Sequence, residues 1–139
     1  GFVGPMGAFA IGIVGSAAAY TAVKIMARTG IDDALEVFAV HGVGGIWGSL
    51  ATGIFAVQAV DDNGVLQNVG LIDGEVGLLW ANARAVAAVV VYSGVATFII
   101  LKILDVIPGL GIRVEANDED LGLDITLHGE RGYVGDGAD

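Results

Sequence analysis

The chain has 139 residues, of which 55% are hydrophobic and only 16% charged, with a mean hydropathy of +0.75 and a formal net charge of -10. That composition lies outside the range of an ordinary soluble domain and makes a lipid bilayer the expected solvent. It excludes a basic nucleic-acid footprint, and the lack of cysteine excludes disulfides and thiolate metal centres.

A helix that crosses a bilayer needs about 20 predominantly apolar residues at a rise of roughly 1.5 Å each. Three stretches meet this requirement. The first, residues 4–27, meets no charge until Lys24; it lacks the basic start of a cleaved leader and is too long for one, so it reads as a span. The second, residues 33–57, is free of charge after Glu36. The third, residues 79–107, carries Arg84 and Lys102 near its ends and "AVAAVVVYSGVATFIIL" between them. In water its valines and isoleucines would suit a strand, but the run is too long for one strand and lipid excludes open sheets, so a helix is expected. The fold class is therefore an all-α membrane protein, with residues 1–107 as the transmembrane part and 108–139 as a solvated tail. Because the first residue is glycine, the chain is expected to be part of a longer protein.

Cations set the expected orientation. Lys24 and Arg28 follow the first span and Lys102 and Arg113 the third, whereas the connection over residues 58–78 holds Asp61, Asp62, Asp73 and Glu75 without a Lys or Arg. By the positive-inside rule the first helix runs inward, the second outward and the third inward, which leaves the tail cytoplasmic. The connection includes "DDNGVLQN", whose Asp-Asn-Gly is a turn signal. The tail, "PGLGIRVEANDEDLGLDITLHGERGYVGDGAD", is rich in Gly, Asp and Glu, with one short helix expected near Asp118 to Leu121.

The second span opens "DDALEVFAVHGVGGIWGSLATGIFA" and contains His41. At helical spacing His41 shares a face with Val37, Gly44, Gly45, Gly48 and Thr52, so the imidazole is expected to look inward among close-packed helices. Gly44 and Gly48, four apart, form the small-residue pattern that lets membrane helices approach. Ser49 and Gly53 extend a similar stripe, and Ile46, Leu50 and Ile54 face apolar neighbours. His41 has two readings: it bonds a carbonyl on another helix and fixes the packing, or it belongs to a substrate or proton path, the commoner meaning of an ionisable residue in a span. Desolvation would hold such an imidazole neutral, with one ring nitrogen donating and the other accepting.

Other motifs fail on context. "GVGGIWG" has the wrong spacing for a dinucleotide loop, follows no strand and lies inside a span. In "NDEDLGLD" the glycine and carboxylates miss the positions of a calcium loop. His41 and His128 fall on different sides of the interface region and share no metal, and no nucleophile–base pair stands out. The chain therefore does not read as an enzyme, and neither a metal nor a cofactor is expected.

On the residues just quoted, the second span resembles the tenth membrane helix of the ammonium transporter family (Amt, Mep and Rh proteins). "GPMGAFAIGIVGSAAAY" is similar to the family's ninth helix, "YSGVATFIILKILDVIPGLGIRV" to its eleventh and its exit, and "GIRV", "GLD", "HGE" and Tyr133 to its cytoplasmic tail. The resemblance implies three helices of a larger eleven-helix bundle that conducts ammonium or ammonia across the plasma membrane, with methylammonium as an analogue. His41 then matches the second of two pore histidines and Val37 a pore-lining position. Asp33 matches an acid at the cytoplasmic mouth, and Glu36 departs from an aspartate common there. Arg113, Gly122, Leu123, Asp124, His128, Gly129, Glu130 and Tyr133 match a regulatory tail that couples the subunits of a homotrimer and meets PII-type signal proteins; Gly132 departs from the usual alanine. The alternatives are a Rh-like gas channel, opposed by the tail motifs, and a membrane-anchored interaction module without conduction.

Overall fold

In the bilayer reading, what must be explained first is why such long apolar runs form helices and where each one stops. The computed structural model describes residues 2–57 and 69–130. Helix α1 spans Pro5–Met26, starting with a proline in its first turn, where the missing N–H is no loss and φ is already helical. It ends beside Lys24, whose ammonium favours the carbonyl end of the helix dipole and lies 5.3 Å from the Tyr20 ring centroid. Helix α2 spans Val43–Phe55 and is preceded without a break by a π-helical turn, Phe38–Gly42. Helix α3 runs over Gly77–Val106, so the Val-rich third stretch is a helix as expected. All three segments, Pro5–Met26, Phe38–Phe55 and Gly77–Val106, are long and apolar enough to cross a membrane. The first and third agree with the expected spans to within two residues. The second starts later than expected, because residues 33–36 form a turn ahead of the helix.

The chain divides into two units, Gly1–Tyr92 and Ser93–Asp139. In the first, α1 packs against both the π-turn and α2. The buried apolar side chains among the described residues are alanines: Ala39, Ala51 and Ala56. Large apolar groups such as Phe9, Trp80 and Tyr92 face outward. Lipid tails are as apolar as leucine, so close backbone approach, rather than burial of large side chains, holds such helices together. Trp47 marks one approach: its indole Nε1 donates to the Ile11 carbonyl at 2.9 Å, over Gly15, where a Cβ would stand 3.2 Å from the indole Cδ1. A second joins α2 to α3, where Asn82 Nδ2 donates to the Ser49 carbonyl at 2.8 Å.

The end of α2 is tied to two other segments. Ala56 leaves the helix in extended conformation and forms an antiparallel bridge with Val3. Its carbonyl accepts the Gly70 N–H at 2.8 Å, while the Val57 N–H reaches the Phe2 carbonyl at 2.9 Å. Gly70 is buried there, and the position requires glycine because a Cβ would stand 2.5 Å from the Ile54 oxygen. A 3-10 turn, Leu71–Asp73, then leads toward α3. The expected Asp-Asn-Gly turn, with Asp61 and Asp62, lies outside the described residues.

In the second unit the tail contains two short helices, α4 (Ala116–Leu121) and α5 (Leu123–Thr126). The first is the helix expected near Asp118 to Leu121. Gly122, at φ 96, turns the chain between them, a backbone region that L side chains rarely adopt.

Candidate functional site

His41 lies within the π-turn itself. The Val43 N–H bonds back to the Phe38 carbonyl, five residues earlier, which is the wide ring that defines this turn. One extra residue per turn rotates everything before it by about 100° relative to a regular α-helix, which sets 3.6 residues per turn. Within the turn the Phe38 ring covers Gly42 so closely that a Cβ there would stand 3.0 Å from the ring. Regular helical spacing carries no sign of this turn. The only available signal was a phenylalanine four residues ahead of a glycine. Single π-turns inside α-helices are rare and recur at functional sites.

The expected close packing around His41 is not found within the described residues. The imidazole is exposed, and a Cβ added at Gly44, Gly45 or Gly48 would meet nothing within 4 Å. Glycines that do carry helix contacts lie elsewhere: Gly7 against Val3 and Phe55, Gly15 against Trp47, and Gly53 against Leu79. The reason is that α1 packs on the side of the π-turn marked by the fully buried Ala39. Val37 is 51% exposed and shares the outward position of His41. Val37 and His41 are thus exposed, and the three glycines meet no neighbour within this chain.

Ahead of the π-turn lie Asp33 and Glu36, in the turn that leads into the helix. Asp33 accepts the Val37 N–H at 2.8 Å and the Phe38 N–H at 3.1 Å through its two carboxylate oxygens. Its carbonyl accepts the Glu36 N–H at 2.9 Å. An anion here satisfies amides that the helix leaves unpaired and sits at the positive end of its dipole. Glu36 has φ 55, the left-handed region, where Asp and Asn are enriched and a longer side chain gains no local bond.

Most of the tail residues singled out in the sequence form one folded turn. The Leu123 carbonyl accepts the His128 N–H at 3.3 Å, and Asp124 accepts the Glu130 N–H at 2.9 Å through its carbonyl. Gly129, at φ 66, makes this reversal possible. Arg113 is engaged from outside the set by Glu119, which sequence reasoning missed: Nε donates at 3.0 Å and Nη2 at 2.8 and 2.9 Å. Tyr133 and Gly132 lie outside the described residues. No group of three or more His, Cys, Asp or Glu side chains able to hold a metal occurs among the described residues.

Three helices of spanning length, joined at small residues and presenting their large apolar side chains outward, define a helical integral membrane protein. The model of the Ammonium Transporter Family matches residues 1–133, and the chain belongs to that family. It is 41% identical over 134 residues to an ammonium transporter of Bacillus subtilis, covering 96% of this chain and 32% of the relative. A putative ammonium transporter of Methanothermobacter thermautotrophicus is 42% identical over 134 residues, with the same coverage of 96% and 32%. Among solved structures, Saccharomyces cerevisiae Mep2 superposes with a TM-score of 0.76 at 31% identity, covering 84% of this chain and 27% of that one. The chain thus spans about a third of the length of these curated relatives. Their names are those of transporters rather than enzymes, in line with the sequence reading.

Proposed function

We propose that this segment forms the C-terminal part of an ammonium channel, and that His41 and Val37 line its conduction path. The observation that carries the reading is His41: an imidazole on a span without another ionisable side chain from Val37 to Phe55, placed in a π-turn. Membership of the ammonium transporter family supplies the substrate class.

Selection then follows from desolvation. A bare cation in an apolar channel loses hydration that no side chain replaces, a penalty of many kcal/mol. Ammonium escapes it by giving up a proton, and potassium has no such route. His41, paired with a second histidine from elsewhere in the full transporter, bonds the resulting ammonia through a ring nitrogen and can take part in proton relay. Val37, one turn earlier, keeps the path apolar, and Asp33 and Glu36 mark its cytoplasmic mouth. The tail, cytoplasmic by the distribution of Lys and Arg, serves subunit coupling in a homotrimer and docking of a PII-type regulator at the plasma membrane. The compact turn from Gly122 to Glu130 supports this, because it gives those residues one defined shape.

The test is methylammonium uptake by the full-length transporter carrying His41→Ala. The proposal requires altered flux or altered selectivity against potassium; unchanged values of both would remove His41 from the pore. For the tail, truncation after Val114 should alter activity or PII binding, and indifference in both would leave it without a regulatory part.

A further inference from the structure

The π-turn that displays His41 is held at its first residue. Phe38 gives its N–H to Asp33 Oδ2 at 3.1 Å, and its carbonyl receives the Val43 N–H that closes the wide turn. The adjacent Val37 N–H goes to Asp33 Oδ1 at 2.8 Å. The Asp33 carbonyl also takes the Glu36 N–H, which bends the chain through the left-handed Glu36 and directs the Glu36 carbonyl to the Val40 N–H at 2.9 Å. Asp33 therefore holds the N–H of the residue whose carbonyl closes the π-turn.

We infer that Asp33 is a positioning residue for His41: its carboxylate fixes the register of the Phe38–Gly42 π-turn and so the direction in which the imidazole leaves the helix. The inference rests on the conduction reading of His41. Its physical basis is the cost of the alternative. Without the carboxylate, the Val37 and Phe38 amides lose their fixed acceptors at the start of the helix. Phe38, whose carbonyl closes the wide turn, is then no longer held at its N–H, and the turn relaxes toward regular α geometry, which rotates His41 away from its present direction. A role as a free anion that attracts cations makes a different demand, namely charge at this position irrespective of reach.

Three variants of the full-length transporter separate these roles. Asp33→Ala removes both acceptors, Asp33→Asn keeps one neutral acceptor, and Asp33→Glu keeps the charge with the wrong reach. Positioning predicts that methylammonium uptake falls in the Ala variant by roughly ten- to a hundred-fold, the scale of an ångström-sized misplacement. The fall should appear in the maximal rate rather than the half-saturating concentration, with partial retention by Asn and poor rescue by Glu. The direct readout is the ring 15N resonance of His41, assigned by its loss in His41→Ala. It should shift in the Ala and Glu variants while the His128 resonance stays in place. An unmoved His41 resonance in folded Asp33 variants overturns the inference, as does full rescue by Glu with loss in Asn. If the Ala variant does not fold, the Asn and Glu variants decide the matter by the same readouts. Failure of the conduction reading is seen separately, as unchanged transport in His41→Ala, while the resonance still reports on positioning.

Discussion

Gly53 lies directly against the backbone of Leu79: a Cβ placed on Gly53 would stand 2.6 Å from the Leu79 Cα and 3.0 Å from its nitrogen. No side-chain rotation relieves a clash with backbone, so Gly53→Ala must push α2 and α3 apart and stretch the bond from Asn82 to the Ser49 carbonyl. The expected loss is about 1–3 kcal/mol, as for other overpacked sites. Thermal unfolding of the full transporter in detergent measures it, and an unchanged melting temperature would show that the two helices separate freely here.

Trp47 couples α2 to α1 by one bond and one close contact. Trp47→Phe should cost about 0.5–1.5 kcal/mol through the lost hydrogen bond to the Ile11 carbonyl, near the low end if membrane helices behave as others do. Gly15→Ala should be harmful beside the indole and better tolerated in the Trp47→Ala background, since the Cβ at Gly15 meets only that ring. Additive effects in this double-mutant cycle would contradict the contact.

At Glu36 the backbone, not the side chain, sets the expectation. A residue at φ 55 without a local side-chain bond carries about 1–2 kcal/mol of strain. Glu36→Gly should therefore raise stability by up to about 1 kcal/mol, and Glu36→Val should lower it, because a β-branched residue is still less suited to this region. Melting temperatures in the opposite order would show that the charge matters more than the conformation.

The Arg113–Glu119 pair has a nitrogen–oxygen distance of 2.8 Å, with side chains 77% and 41% exposed. Water screens it, so Glu119→Gln should loosen the tail by only about 0–1 kcal/mol. Hydrogen exchange of the α4 amides should quicken modestly at low salt, and the difference between the two proteins should vanish near 1 M salt. A large effect that persists at high salt would assign Glu119 a further partner.

Much of this protein is determined by sequence alone. The three spans follow from runs of apolar residues, because in lipid every backbone amide must be paired within its own segment and a long apolar stretch has no choice but helix. A short helix near Asp118 to Leu121 is legible in the sequence as well. Tertiary structure decided which small residues meet a neighbour within this chain. Gly44 and Gly48 have the spacing of a contact and lie open, whereas Gly53 and Gly15 are pressed by Leu79 and Trp47, residues distant in the chain. The direction of His41 also escaped regular helical spacing, because one five-residue turn, shaped by Asp33 before it and by Phe38 over Gly42 within it, changes the phase of the helix. Apolarity is a sum over neighbours in sequence, while contact and phase depend on where backbones meet in space.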